Sequence, residues 1–484
     1  MRPPWVLVSE PWYYNRRRLP KAGNPYFVGI HAPMRSELTL YDLAVTGAIP
    51  AGLNGRYLKM GANPAKLDPA GHHWFLGDGM VHGIAIRDGK ALWYRNRWIR
   101  SRLAAAALGQ AAAPGPRRGR NDTVNTNVAD IGGRAFALVE AGSFPVELSE
   151  TLEEQRYNPF DGTLGGSFSG HPHRDPLTGE HHAIAYDGSV WDAVRHVVVS
   201  ADGKVVRDVS VAVKHGPCIH DCAFTARFAI VLDLPVTFSM RAVLGGHLFP
   251  FRWNPAHHAR VGLLPRHGDG TGIVWCDVEP CFVFHVANAF DGEGGQVVLD
   301  VIAYATMFAS GASGLDALGR FERWTVDPAT RRVARRVIDT TPQEFPRIDE
   351  RRFGRSHRHV YTVSVPPDGA TRSSLAPRGC TSTTSKRAAG ACTSSATGTC
   401  QASSCSCRRA PTRSRTKAGS SASSSTRLTR PPTSWSLTRS PSRRHRSPLS
   451  TCRTGYRRAF TGTGSHLDSC RGQRRAELAL PDVA

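Results

Sequence analysis

Three histidines stand in the surroundings best suited to chemistry in this sequence. His171 opens the run His171-Pro172-His173-Arg174-Asp175. His220 lies in Pro217-Cys218-Ile219-His220-Asp221, just before an apolar segment, and His285 ends Cys281-Phe282-Val283-Phe284-His285, with Asn288 shortly after. Imidazole clusters suit iron, zinc or copper, and the complete ligand set decides among them. The three are 49 and 65 residues apart, so no local two-histidine helix motif is present. Only a fold that carries distant segments to one axis could bring them together. Taken singly, each of the 20 histidines is equally at home as a hydrogen-bonded core or surface residue. Asp78 and His82 also invite a metal reading, but Gly77-Asp78-Gly79 has the composition of a tight turn and His82 that of a strand histidine.

The elements that must position these residues are short strands. Arg134–Val139, Arg227–Leu232, Gln296–Ala303 and His359–Val365 are β-branched or aromatic runs separated by Gly, Asp and Pro. That spacing predicts an all-β fold of many antiparallel strands, a barrel, sandwich or propeller. The one helix expected is the alanine-rich Ser101–Ala113. No run of eighteen apolar residues occurs, so a transmembrane helix is not expected, and Met1–Trp5 lacks a signal-peptide pattern. Of 11 cysteines, seven fall between Cys380 and Cys470; Cys218, Cys222, Cys276 and Cys281 are too few for a disulfide scaffold. A soluble, cytoplasmic protein is expected.

The net charge of +23 would suggest a nucleic-acid or anionic-membrane partner, but residues 371–470 hold 18 Lys and Arg against the single acid Asp468. The other 384 residues carry +6, an ordinary surface, and no nucleic-acid partner is expected. Ser, Thr and Arg fill 56 of positions 371–470, a composition with too little apolar surface to offset chain entropy. The chain therefore divides into an N-terminal extension (1–23), a strand-rich region (24–370) and a low-complexity basic tail (371–484).

The strand-rich region resembles the carotenoid cleavage oxygenase family, which includes the lignostilbene dioxygenases. The matching pieces are Asn54-Gly55-Arg56-Tyr57-Leu58, Gly77-Asp78-Gly79-Met80-Val81-His82-Gly83, Tyr94–Trp98, Asn125-Thr126-Asn127, Ala137-Leu138-Val139-Glu140, His171-Pro172, Ile219-His220-Asp221, Phe284-His285 with Asn288-Ala289, and Glu344-Phe345-Pro346. They fall in family order. The resemblance implies a seven-bladed β-propeller with a helical and loop dome over one axial Fe(II) held by four histidines. His171, His220 and His285 match three of these ligands, and the family pattern of a histidine before proline favours His171 over His173. Glu140 and Glu344 match two carboxylates that accept the other ring N–H of a ligand, fixing its tautomer. The implied reaction adds both atoms of O2 across a conjugated C=C bond of an apolar polyene, giving two carbonyl products. No flavin or nicotinamide fingerprint is apparent, and the alkene itself can supply the electrons.

Family members that cleave hydroxystilbenes place a lysine and a tyrosine where this chain has Val139 and Trp98. That substitution favours a carotenoid or apocarotenoid over a stilbenoid. A peripheral membrane contact for substrate uptake fits such a substrate, whereas no obligate protein partner is implied. An isomerohydrolase and a non-catalytic carotenoid-binding relative are the alternatives in other classes.

The fourth histidine belongs to a family phrase resembling Gly-Phe-His-Gly-Asn-Trp, which is not written in this chain. Arg458–Ser465 can be coded CGG GCT TTC ACG GGA ACT GGA TCC. Displaced by one base, this reads Gly-Phe-His-Gly-Asn-Trp-Ile, with the histidine straddling Phe460 and Thr461. The same offset turns Gln401–Cys405 into Gly-Glu-Phe-Val, a third supporting glutamate across Ala402 and Ser403, and gives a family-like strand at Gly379–Ala388. A frameshift between about Pro366 and Gly379 is therefore expected, and with it the loss of the last blades. His466 has no family phrase beside it and is not expected to substitute.

Overall fold

The computed structural model describes residues 32–67, 75–119, 121–247, 249–310 and 318–364, with the backbone of Cys380–Thr384. These residues belong to one compact unit; residues 410–476 lie outside the described residues.

The strands fold back on themselves in chain order. A first four-stranded sheet holds β1 (Leu38–Tyr41), β2 (Gly55–Ala62), β3 (Gly79–Arg87) and β4 (Lys90–Trp98). A second holds β5 (Asn127–Ile131), β6 (Arg134–Leu138), β7 (Val146–Leu148) and β8 (Gln155–Tyr157). The third comprises β9 (His173–Arg174), β10 (His181–Asp187), β11 (Val190–Val199) and β12 (Val205–Ala212). β13 (Ala223–Phe224) and β14 (Phe228–Asp233) begin the fourth; a small excursion, β15 (Val236–Phe238) paired with β16 (Phe251–Trp253), precedes its β17 (Arg260–Pro265) and β18 (Val274–Asp277). The fifth is β19 (Phe282–Asp291), β20 (Val297–Tyr304), β21 (Arg320–Asp327) and β22 (Arg332–Asp339), joined to the fourth by one parallel bridge, Asp277 to Arg332. β23 (Gln343–Arg347), β24 (His359–Ser364) and β25 (Cys380–Thr384) start a sixth.

Turn chemistry explains the local pairing. Asp88 (φ 50°) and Gly89 (φ 74°) close a two-residue hairpin between β3 and β4, a turn that needs positive φ at both positions. Edge strands of neighbouring sheets touch, β2 with β5, β13 with β19 and β19 with β23, which marks them as the inner strands of propeller blades. The all-β propeller is thus the fold observed, with five four-stranded blades and three strands of a sixth among the described residues. Large side chains such as Phe282, Phe321 and Trp324 are fully buried between the blades.

The helix is shorter than the Ser101–Ala113 expected. It runs as α1 (Arg102–Leu108), capped by the Ser101 hydroxyl accepting from the Ala104 N–H, and stops where Gly109 turns left-handed at φ 65°. Beyond it Ala113 N–H donates to the Arg100 carbonyl instead. A second helix, α2 (Met240–Leu244), was not foreseen. No helix among the described residues is long and apolar enough to cross a membrane. Cys218, Cys222, Cys276 and Cys281 are buried free thiols. Apart from Cys380–Thr384, the segment 371–484 lies outside the described residues, as do Phe460 and Thr461.

One buried ion pair ties the fifth blade. Arg323 of β21 donates from Nε and Nη2 to the Asp300 carboxylate of β20 at 2.8 and 2.7 Å, with His357 Nε2 3.1 Å away. Burial pushes the Asp300 carboxyl up, but Arg323 and His357 outweigh it and hold it below its usual range. A depressed folded-state pKa stabilises above the unfolded value of about 3.9 and is lost as pH falls through the folded value. Asp300→Asn should therefore cost about 3–5 kcal/mol at pH 7, because it removes the negative charge that Arg323 and His357 face in a buried pair. The gap from the parent chain should hold down to about pH 4 and narrow below it, as measured by urea midpoints.

Candidate metal centre

Blade geometry brings His171, His220 and His285 together. His171 lies just before β9, His220 in the loop entering β13, and His285 within β19. The pairing of β19 with β20 is irregular between Val283 and Val286, a bulge that re-aims the side chain between them. The ring centroids of His171 and His220 are 4.5 Å apart, and each is 5.0 Å from that of His285. One nitrogen from each ring lies within 4.8 Å of the others.

Two rings are backed by carboxylates. His220 Nδ1 is 3.0 Å from Glu140 Oε1, and His285 Nδ1 is 2.8 Å from Glu344 Oε2. A carboxylate only accepts, so each Nδ1 donates to it, and Nε2 is the nitrogen of each ring that the carboxylate leaves unengaged. The residue after each glutamate has a left-handed backbone, Ala141 at φ 49° and Phe345 at φ 54°. Such strain in non-glycine residues concentrates at functional sites. Glu344 is further pinned by the Tyr304 hydroxyl at 2.7 Å and by the Phe345 N–H. Burial, then Glu344, pushes the Tyr304 phenol well above its ordinary range, so it stays a donor. Burial, reinforced by the neighbouring imidazoles, drives His171 well below its ordinary range and keeps it neutral. For His220 burial acts downward, but Glu140 outweighs it and raises the pKa.

The chemistry of this donor set fits a transition-metal cation. Three nitrogen donors converge, and among the described residues no Arg or Lys pairs with Glu140 or Glu344, leaving negative charge that a cation would offset. Neutral imidazoles suit Fe(II) as well as Zn or Cu. His173 stays outside the cluster, its Nε2 2.7 Å from Asp221. His82 pairs with the Tyr94 hydroxyl at 2.8 Å, and Asp78 accepts from the Ala65 N–H at 3.0 Å.

Several supporting residues carried no role in the sequence. Asn125 Nδ2 donates to the Phe75 and Gly77 carbonyls, clamping the turn before β3, where Gly79 passes so close to the Val124 carbonyl that no Cβ would fit. Asn127 Nδ2 donates to the Gly170 carbonyl at 2.9 Å and so fixes the segment that carries His171. Asn125-Thr126-Asn127 was visible as a motif; what each amide holds was not. Tyr304 had no local signal at all. Beside the histidines, Phe284 packs on His220 at 5.4 Å and Phe345 on His285 at 5.1 Å between centroids. Phe75, Phe249 and Phe308 extend this aromatic wall.

A family model described as retinal pigment epithelial membrane protein matches residues 31–394. A carotenoid cleavage oxygenase of Mycobacterium tuberculosis is 42% identical over 389 residues, spanning 71% of this chain and 78% of that one. The carotenoid 9,10(9',10')-cleavage dioxygenase 1 of Arabidopsis thaliana is 31% identical, with 69% of each chain covered. Among solved structures, the Pseudomonas brassicacearum lignostilbene dioxygenase superposes with a TM-score of 0.63 at 26% identity, covering 72% of this chain and 78% of that one. Cobalt-substituted Synechocystis ACO, at 24% identity and a TM-score of 0.62 over 72% of this chain and 79% of that one, shares the fold.

Proposed function

Since the chain belongs to the retinal pigment epithelial membrane protein family, we propose that it is a non-haem Fe(II) dioxygenase that cleaves a conjugated C=C bond of a carotenoid or apocarotenoid. Both atoms of O2 enter the products, so one C=C bond and one O–O bond become two C=O bonds, with no external reductant. The observation that carries the reading is the convergence of His171, His220 and His285, two of them backed by Glu140 and Glu344. Bound there, Fe(II) would supply a site for activating O2 beside the alkene. Glu140 and Glu344 keep the Nδ1 protons in place, so that the opposite nitrogens remain donors. Phe284, Phe345 and the wall of Phe75, Phe249 and Phe308 offer an apolar surface for a polyene. The fourth histidine of the set is assigned to the displaced frame across Phe460 and Thr461.

The substrate class rests on two positions. Val139 has no side-chain hydrogen-bonding group, and the indole N–H of Trp98, itself 3% exposed, is already committed to the Asn63 carbonyl at 2.8 Å. A phenol at either place would lose its water partner without gaining one, at a cost of about 1–3 kcal/mol. Fe(II)-loaded chain supplied with isotope-labelled O2 should convert an all-trans apocarotenal into two carbonyl products, each gaining one labelled oxygen. Its kcat/KM on a hydroxystilbene should be about 10–100-fold lower. Preferential cleavage of the hydroxystilbene would replace this reading with a stilbenoid one. A geometric shift at unchanged mass would indicate an isomerase, and binding without turnover a carotenoid carrier.

A further inference from the structure

We propose that Asp221 is a positioning residue that holds the segments of all three histidines in one frame. The inference rests on the metal-centre reading above. Asp221 follows His220 directly, and its side chain is 3% exposed. Oδ1 accepts from His173 Nε2 at 2.7 Å and from the Cys222 N–H at 2.7 Å, and Oδ2 accepts from the Val286 N–H at 2.8 Å. His173 is two residues beyond His171, and Val286 is the residue after His285. One carboxylate therefore takes hydrogen bonds from chain segments 48 and 65 residues away while standing next to the third histidine.

Two details show why a carboxylate is needed there. Register shifts flank Val286 in the pairing of β19 with β20, and its N–H goes to Asp221 Oδ2. Among the described residues no carboxylate is bonded to the ring of His171, unlike those of His220 and His285. Through His173, Asp221 fixes that segment by its backbone instead. An amide cannot replace the carboxylate, because its NH2 would face either the Cys222 N–H or the Val286 N–H, donor against donor.

The test uses the full chain and Co(II) as a visible-spectrum probe, comparing the parent with Asp221→Asn, His173→Ala and Asp300→Asn. Asp300 is another buried, paired aspartate that touches none of the three histidines, so it serves as the stability control. Asp221→Asn should weaken Co(II) binding by about 10–100-fold and change the shape of the Co(II) absorption band. His173→Ala should do the same to a smaller extent, whereas Asp300→Asn should lower the unfolding midpoint with the Co(II) band unchanged. If Asp221→Asn does not fold, His173→Ala decides. Parent-like affinity and band shape in the folded variants would overturn the positioning role. A parent chain that binds no Co(II) would overturn the metal-centre reading itself.

Discussion

A gene displaced by one base between about codons Pro366 and Gly379 will yield a chain that binds Fe(II) more tightly than the present one, by more than the roughly 100-fold that an outer-sphere partner can contribute. Four features change together in that chain. Where the third bases allow it, a histidine would be read across Phe460 and Thr461 to join His171, His220 and His285, and a glutamate across Ala402 and Ser403 to back one more ring. The Ser, Thr and Arg excess of positions 371–470 disappears, taking +17 of the +23 charge with it. The sheet begun by β23, β24 and β25 also gains the continuation that a closed propeller needs, removing exposed strand edges. Metal stoichiometry and affinity, together with apocarotenal turnover, compare the two chains directly. Equal affinity and equal turnover would sink the displaced-frame assignment. Retention of the present chain on DNA, lost on deleting 372–484 and falling steeply with salt, would point to a nucleic-acid arm instead.

How far the sequence could be followed depended on the range of the interaction. Strands were legible because period and turn chemistry are local: Arg134–Val139 and Gln296–Ala303 became β6 and β20 with end shifts of one residue. The extent of α1 was misjudged because alanine propensity at Ala111–Ala113 yields to the left-handed Gly109 and to the Ala113 bond with Arg100. The choice of His171 over His173 came from the family pattern, and nothing local separates the two. In the structure they differ sharply, one ring among imidazoles and the other on Asp221. Asp221 shows in the sequence only as part of Ile219-His220-Asp221, since two of its partners come from segments 48 and 65 residues away and leave no periodic trace. Tyr304 escaped notice for the same reason: its phenol meets Glu344 across 40 residues.

Alanine at His171, His220 or His285 should each weaken metal binding by more than the roughly 10–100-fold expected for Glu344→Gln, since each removes a donor rather than its support. Stability of the metal-free chain should separate the three. His220→Ala strips the partner from Glu140 Oε1 and leaves that carboxylate with only the neighbouring Tyr186 hydroxyl. About 1–3 kcal/mol is at stake for each buried polar group left unmade, more when it is charged. In His285→Ala, Glu344 keeps the Tyr304 hydroxyl and the Phe345 N–H, so the loss should be smaller. His171→Ala strands no carboxylate among the described residues, and it removes a ring held neutral by burial and by its imidazole neighbours. It should be the mildest of the three without metal and still abolish stoichiometric loading. Urea midpoints of the metal-free variants, set beside metal content after reconstitution, give both orders. A single common order for stability and loading would mean that the rings act as core side chains, whereas loading lost throughout with stability ranked His171→Ala above His285→Ala above His220→Ala identifies a ligand set with its supports.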